Sequence, residues 1–286
     1  MQLEVKDVSY SYAPNAENPV FAVDHVSFSL EQGEFVALIG QTGSGKSTLI
    51  QFLDGLLKPT SGEVLFHGEN VCAKGYDLKT LRQKVGLVFQ YPEYQLFETT
   101  VLKDVCYGPK NQGLPKEEQE ERAKEALRLV GFPERSFDKS PFDLSGGNKR
   151  RAAIAGILAM RPEVLILDEP TAGLDPEGRR DVLGVCRTLN EQGITVILVS
   201  HSMEDVAEFA KRILVMNHGK LVVDDTPDRV FANHTALEEI GLSAPEITYV
   251  MEGLKKAGFA VRTDVFTVEE AKNEILKALG KGKAEQ

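Results

Sequence analysis

Apolar and polar positions alternate near the start of the chain. Leu3, Val5 and Val8, then Val26, Phe28 and Leu30, are separated by polar residues, which predicts strands with one buried face. Over residues 33–40 the pattern becomes an unbroken apolar run closed by glycine, as in a strand covered on both faces. A helical period occupies residues 46–56, stops at Lys58-Pro59-Thr60, and gives way to a strand and turn over 61–68. From about Leu102 to Arg161 the strand signal fades. Pro115 opens a charged segment in which Ala123, Ala126, Leu127 and Val130 share a helical face, and Gly131 stops it. Strand patterns return at residues 164–168, 194–200 and 212–216, with helices between them. This rhythm predicts βαβ units and a mostly parallel sheet whose halves flank a helical insert at about 95–160.

The chain beyond about Thr226 reads as an appended α/β unit over 226–286. Ser243 precedes a segment with Ile247, Val250, Met251 and Leu254 on one helical face, and Thr267 with Glu270 forms a capping box ahead of Ala271, Ile275, Leu276 and Leu279.

Two stretches carry chemistry on their own. Gly40-Gln41-Thr42-Gly43-Ser44-Gly45-Lys46-Ser47 is a complete G-x-x-x-x-G-K-S/T loop after an apolar strand and before a helix that continues through Thr48. Its glycines let backbone N–H groups turn inward on phosphate oxygens, and the helix adds the positive end of its dipole. Lys46 supplies a point charge to the β- and γ-phosphates, and the Ser47 hydroxyl suits Mg²⁺. The second stretch, residues 164–169, runs apolar to Leu167 and ends in Asp168 and Glu169. A carboxylate at the strand end anchors a magnesium shell, and its neighbour is placed to act as base on an attacking water.

With Leu144-Ser145-Gly146-Gly147-Asn148 added, the chain resembles the ATP-binding-cassette ATPases over roughly residues 1–225. The resemblance implies a P-loop NTPase cassette of the α/β class. Its parts are a mostly parallel core sheet, an N-terminal antiparallel β subdomain, the helical insert and the small C-terminal extension. It implies that Ser145, Gly146, Gly147 and Asn148 close on the γ-phosphate of an opposite subunit. It also implies that Gln90 links magnesium to the membrane-partner interface, that Asp175 couples the two sites, and that His201 is a switch histidine. Tyr12 matches the aromatic that stacks on adenine, with Tyr10 as its rival. Asn148 departs from the family glutamine by one methylene.

Within the family, residues 89–111, the Lys149-Arg150-Arg151 string and the run from Pro170 to Pro176 resemble the ATPase subunits of energy-coupling factor transporters, the second of two paralogous types. That implies ATP and Mg²⁺ as ligands and uptake of vitamins or transition-metal ions. It implies a second ATPase (a paralogue or a second copy), a transmembrane coupling protein and a membrane substrate-binding subunit as partners. The extension would serve pairing, and the location would be the cytoplasmic face of the membrane. Another transporter class, for amino acids or lipids, and a nucleic-acid cassette ATPase are the alternatives.

Composition narrows these. With 33 Lys and Arg against 43 Asp and Glu, the 286-residue chain carries a net charge of −10, which argues against a nucleic-acid surface. No apolar run reaches the roughly 18 residues a membrane span requires, so a membrane role would come through a partner. The N-terminus lacks a secretory pattern, and the three cysteines (Cys72, Cys106, Cys186) are too scattered for a disulfide framework, which fits a reducing compartment.

Overall fold

The computed structural model describes residues 1–15 and 19–280. In chain order, β1 (Leu3–Tyr10), β2 (Val23–Leu30), β3 (Phe35–Gly40), α1 (Lys46–Leu53), β4 (Ser61–Phe66), β5 (Glu69–Asn70), α2 (Leu78–Lys84) and β6 (Val85–Val88) make the first third. The helical stretch follows as α3 (Val101–Asn111), α4 (Lys116–Leu129) and α5 (Gly146–Leu158), joined by short 3-10 turns. Then come β7 (Val164–Asp168), α6 (Pro176–Glu191), β8 (Thr195–Val199), α7 (Met203–Phe209), β9 (Arg212–Asn217) and β10 (Lys220–Asp225). Four helices close the described chain: α8 (Pro227–Ala232), α9 (His234–Glu239), α10 (Glu246–Lys256) and α11 (Val268–Ala278).

The strands form two sheets. An antiparallel one has the order β2-β1-β4-β5, and a larger one the order β10-β9-β3-β8-β7-β6. In the larger sheet β9, β3, β8, β7 and β6 are parallel and only β10 runs against its neighbour. Its central strands are apolar throughout because both faces are covered, and successive residues serve different cores. On β3, Phe35, Ala37 and Ile39 face the core shared with the helical insert, whereas Val36 and Leu38 face the core under the antiparallel sheet. β7 and β8 divide in the same way, with Leu165, Leu167, Val196 and Leu198 on the first side and Ile166, Ile197 and Val199 on the second.

The helical insert leaves the sheet after β6 and returns at β7, its immediate neighbour. Its two feet therefore stand side by side. The predicted helix from Lys46 stops at Leu53, three residues early, because Asp54 ends it and Gly55 takes φ +71°.

The α/β character expected for the C-terminal extension is corrected: its described residues form helices and no strand. Val261 and Val265 pack against Met251 and Ala271 in a small cluster of their own. The Thr267–Glu270 capping box is present at α11, whereas α10 starts at Glu246 behind Pro245 rather than at Ser243. Phe231, Leu237, Ala244 and Phe266 join the core beneath the insert side of the sheet, so the extension is seated on the same core as the strands that precede it.

Candidate functional site

β3 delivers the phosphate loop to the C-terminal edge of the sheet, and its backbone is one that only glycine tolerates at two points. At Gly40 (φ +152°) a side chain would collide with the carbonyl of Met216, and at Gly45 (φ +103°) with the carbonyl of Ala22. The chain can therefore fold close under its own neighbours and turn directly into α1, where Leu49 N–H already bonds Gly45 O at 2.9 Å. Lys46 Nζ donates to the Gly40 and Gln41 carbonyls at 2.7 and 3.0 Å, holding the ammonium over the loop. Ser44 Oγ is buried in the loop with no hydrogen-bond partner.

The neighbouring strands β7 and β8 bring the other half of the site. Ser47 Oγ donates to Asp168 Oδ2 at 3.3 Å, so a hydroxyl from the start of α1 and a carboxylate from the end of β7 meet where a cation would sit. Glu169 has left-handed backbone (φ +50°), fixed by its N–H to Val199 O at 3.0 Å, which turns its side chain toward the loop. His201 Nε2 lies 3.4 Å from Glu169 Oε1 in an orientation that makes no hydrogen bond, and Oε1 is buried without a partner.

Burial governs the ionisation here. It pushes Glu169 up to about 7, with the charge of Asp168 adding to the effect. Burial also raises Asp168, against the hydrogen bond from Ser47 and the charge of Lys46. Lys46 is lowered by the same cause, opposed by Glu169 and Asp168. His201 is lowered by burial and by the Lys46 ammonium, which keeps the imidazole neutral at pH 7.

These groups line one pocket of about 360 Å³, together with Tyr12, Thr42, Gly43, Gly45, Thr48 and Gln90. Tyr12 hydrogen-bonds Thr48 Oγ1 at 2.9 Å and leaves its ring exposed at the rim, while Tyr10 packs against Phe52 at 5.5 Å in the core. Ser145, Gly146, Gly147 and Asn148 do not line this pocket. They stand at the N-terminus of α5, with Ser145 and Gly146 exposed and open space around both glycines. Asp175 is also outside it, capping α6 by accepting Gly178 N–H at 2.8 Å. Among the described residues no cluster of three or more His, Cys, Asp and Glu is arranged to hold a metal alone. The donor set of Ser47, Asp168 and Gln90 instead suits a hard cation that shares its shell with phosphate oxygens.

Residues the motifs did not flag also belong here. Ala22, which lines the pocket and whose carbonyl restricts Gly45, carries no chemical signal in sequence. Gly241 of the extension sits against the Gln41 side chain, and the Glu246 N–H bonds Glu204 Oε1 at 3.2 Å on α7, just after His201. Neither contact is marked by any spacing in the chain.

Residues 23–172 match the ABC transporter family. The chain is 52% identical over 279 residues to the energy-coupling factor transporter ATP-binding protein EcfA2 of Clostridium tetani, covering 97% of each chain. It is 50% identical over 281 residues to the protein of that name from Clostridium perfringens, covering 98% of this chain and 99% of the relative. The solved structure of cbiO1 from Clostridium perfringens, part of the ABC transporter complex cbiONQ, superposes with a TM-score of 0.74 at 37% identity over 88% of this chain and 98% of its own. The dimeric, ADP- and Pi-bound post-hydrolysis state of the cassette MJ0796 gives 0.71 at 31% identity over 79% of this chain and 98% of its own. The chain thus belongs to the ABC transporter family, as an ATP-hydrolysing transporter subunit of the energy-coupling factor type.

Proposed function

We propose that this chain binds Mg²⁺ and ATP on its phosphate loop and uses Glu169 as the base of hydrolysis, driving a membrane importer from its cytoplasmic face. The convergence of Lys46, Ser47, Asp168, Glu169 and His201 on one pocket carries this reading. Mg²⁺, when bound, neutralises charge between the β- and γ-phosphates. Ser47, Asp168 and Gln90 are the residues that would hold it, and the unpaired Ser44 Oγ fits a phosphate oxygen. Lys46 exchanges its two backbone carbonyls for phosphate. Glu169, deprotonated above about pH 7, accepts the proton of the attacking water while neutral His201 orients it. The exposed Tyr12 ring suits stacking on adenine.

Hydrolysis in this reading needs two cassettes, because Ser145, Gly146, Gly147 and Asn148 do not line the chain's own pocket and would serve the nucleotide of a second subunit. Their hydroxyl, glycine N–H groups and helix N-terminus form an anion cradle. Asp175 joins the two sites across that interface. The second subunit is a paralogue or another copy, and exposed Val250, Phe259 and Val268 on the extension favour a role in pairing.

A transmembrane coupling protein docks on the turn Pro92–Gln95 and its flanks. There Tyr94 is 85% exposed and Phe97 56% exposed, and buried Asp104 pins the loop by accepting the N–H groups of Phe97 and Glu98, both at 2.8 Å. Among the described residues no helix is long and apolar enough to cross a membrane, so the substrate subunit is another polypeptide, for a vitamin or a transition-metal ion. Purification of the tagged chain from mild-detergent membranes, with partners identified by mass spectrometry, tests this. Recovery of a second cassette ATPase with a coupling membrane protein is expected; recovery of no membrane protein would refute it.

A further inference from the structure

Arg150, three residues past Gly147 on α5, is only 3% exposed and faces inward. Its guanidinium holds Glu93 in a two-pronged pair, Nε to Oε2 at 3.1 Å and Nη2 to Oε1 at 2.9 Å. Nη1 donates to the carbonyls of Pro170 and Ala172. Its Cζ lies 5.9 Å from the Tyr91 ring centroid. One planar group thus ties three elements together: the turn after Gln90, the helix that starts at the signature, and the segment directly after Glu169. Lysine, with a single nitrogen, cannot span all of these acceptors.

We propose that Arg150 is a positioning residue that relays the state of the Pro92–Gln95 turn to Glu169. This rests on the docking reading above and goes further, by naming the pair that carries the signal. When a membrane partner shifts the turn, Glu93 pulls the guanidinium. The guanidinium moves α5 and the carbonyls of Pro170 and Ala172, and so shifts the segment that continues directly from the left-handed Glu169. Arg150 does not line the phosphate-loop pocket. Its effect therefore falls on kcat and on partner stimulation rather than on the KM for ATP.

The test compares wild type, Glu93→Gln, Arg150→Lys and Glu93→Gln/Arg150→Lys in the complete transporter complex and as the chain alone. Co-purification, thermal unfolding, kcat and KM for ATP are measured for each. Glu93→Gln keeps shape and hydrogen-bonding atoms while removing the charge, so it is the variant that must fold. The expected result is normal assembly, an unchanged KM, and partner stimulation of kcat reduced about 5- to 150-fold in each single variant. The double variant should be no worse than the more affected single one, because one link is broken only once. Variants that assemble and keep full stimulation would overturn the relay while leaving the docking reading intact. Loss of assembly, or strictly multiplying effects in the double variant, would equally overturn it, since the pair would then build the surface or act as independent contacts. A wild-type chain that recovers no membrane partner would remove the docking reading and the relay together.

Discussion

Replacing Glu169 with glutamine removes the charge and proton affinity of the proposed base while keeping its shape. In the wild-type chain the carboxyl titrates at about 7 rather than at the ordinary 4.5. If it is the base, kcat/KM rises with pH up to about 7 and levels off near 8, and at pH 6 only about a tenth of the molecules are competent. Losing general-base assistance costs about 10²- to 10⁴-fold in turnover, or about 3–5 kcal/mol of barrier. ATP binding should persist and the closed dimer should accumulate, because Lys46, Ser47 and Asp168 are untouched. The same substitution has a second signature in stability. A carboxyl whose folded pKa is raised destabilises the fold progressively as pH climbs from 4.5 through about 7. That shift corresponds to about 3 kcal/mol, which water at the pocket mouth reduces to about 1–2. The variant should therefore match wild type near pH 4 and be the more stable protein at pH 8. Turnover of the reconstituted complex and thermal unfolding at both pH values read the two effects. Turnover within tenfold of wild type, with the rising pH limb still present, would refute the assignment of Glu169 as base.

Tyr12→Ala should weaken ATP about 5- to 150-fold, the worth of one stacked base, while leaving affinity for inorganic triphosphate unchanged; equal losses for both ligands, by calorimetry, would remove stacking from its role. ATP at one hundred times its dissociation constant should stabilise the chain by about 2.7 kcal/mol and raise the unfolding temperature by about 4–5 °C, an increase absent in Lys46→Ala. Gly241→Val places a branched side chain into Gln41 at a left-handed position (φ +70°). It should cost about 1–3 kcal/mol of stability and weaken ATP binding as the loop shifts. Lower stability with unchanged ATP affinity would show that the extension does not tune the loop.

Much of the arrangement was legible in the chain because its causes are local. The two-sided apolar runs at β3, β7 and β8 follow from burial on both faces, and the glycine-rich loop follows from positions where Cβ has no room. The signature could be found, and the resemblance implied that it serves an opposite subunit, but no local pattern shows how the insert stands on the sheet. Arg150 and Glu93 are 57 positions apart and both charged, and nothing in either local pattern marks them as buried partners. The all-helical character of the described extension is likewise hidden from local pattern. No local pattern in the extension marks Val261 and Val265, which pack with Met251 and Ala271 in a cluster that forms only when α10 and α11 are brought together.

Strain and unmet polarity gather at the site, and the sheet explains why they survive there. Among the described residues four buried side-chain polar atoms lack a hydrogen-bond partner, and two of them, Ser44 Oγ and Glu169 Oε1, belong to this site. Left-handed Glu169 adds backbone strain beside them. Each such feature costs about 1–3 kcal/mol. They persist because β3, β8 and β7 are adjacent and buried on both faces, so Gly40, Ser200 and Asp168 emerge from three rigid strand ends that cannot relax independently. The insert uses the same rigidity. Its feet are the neighbours β6 and β7, which end beside Gln90 and at Asp168, two residues that line the pocket. In the proposed function a phosphate oxygen accepts from the Ser44 hydroxyl and the attacking water donates to Glu169 Oε1, so the two groups that the fold leaves without partners are the ones the reaction uses.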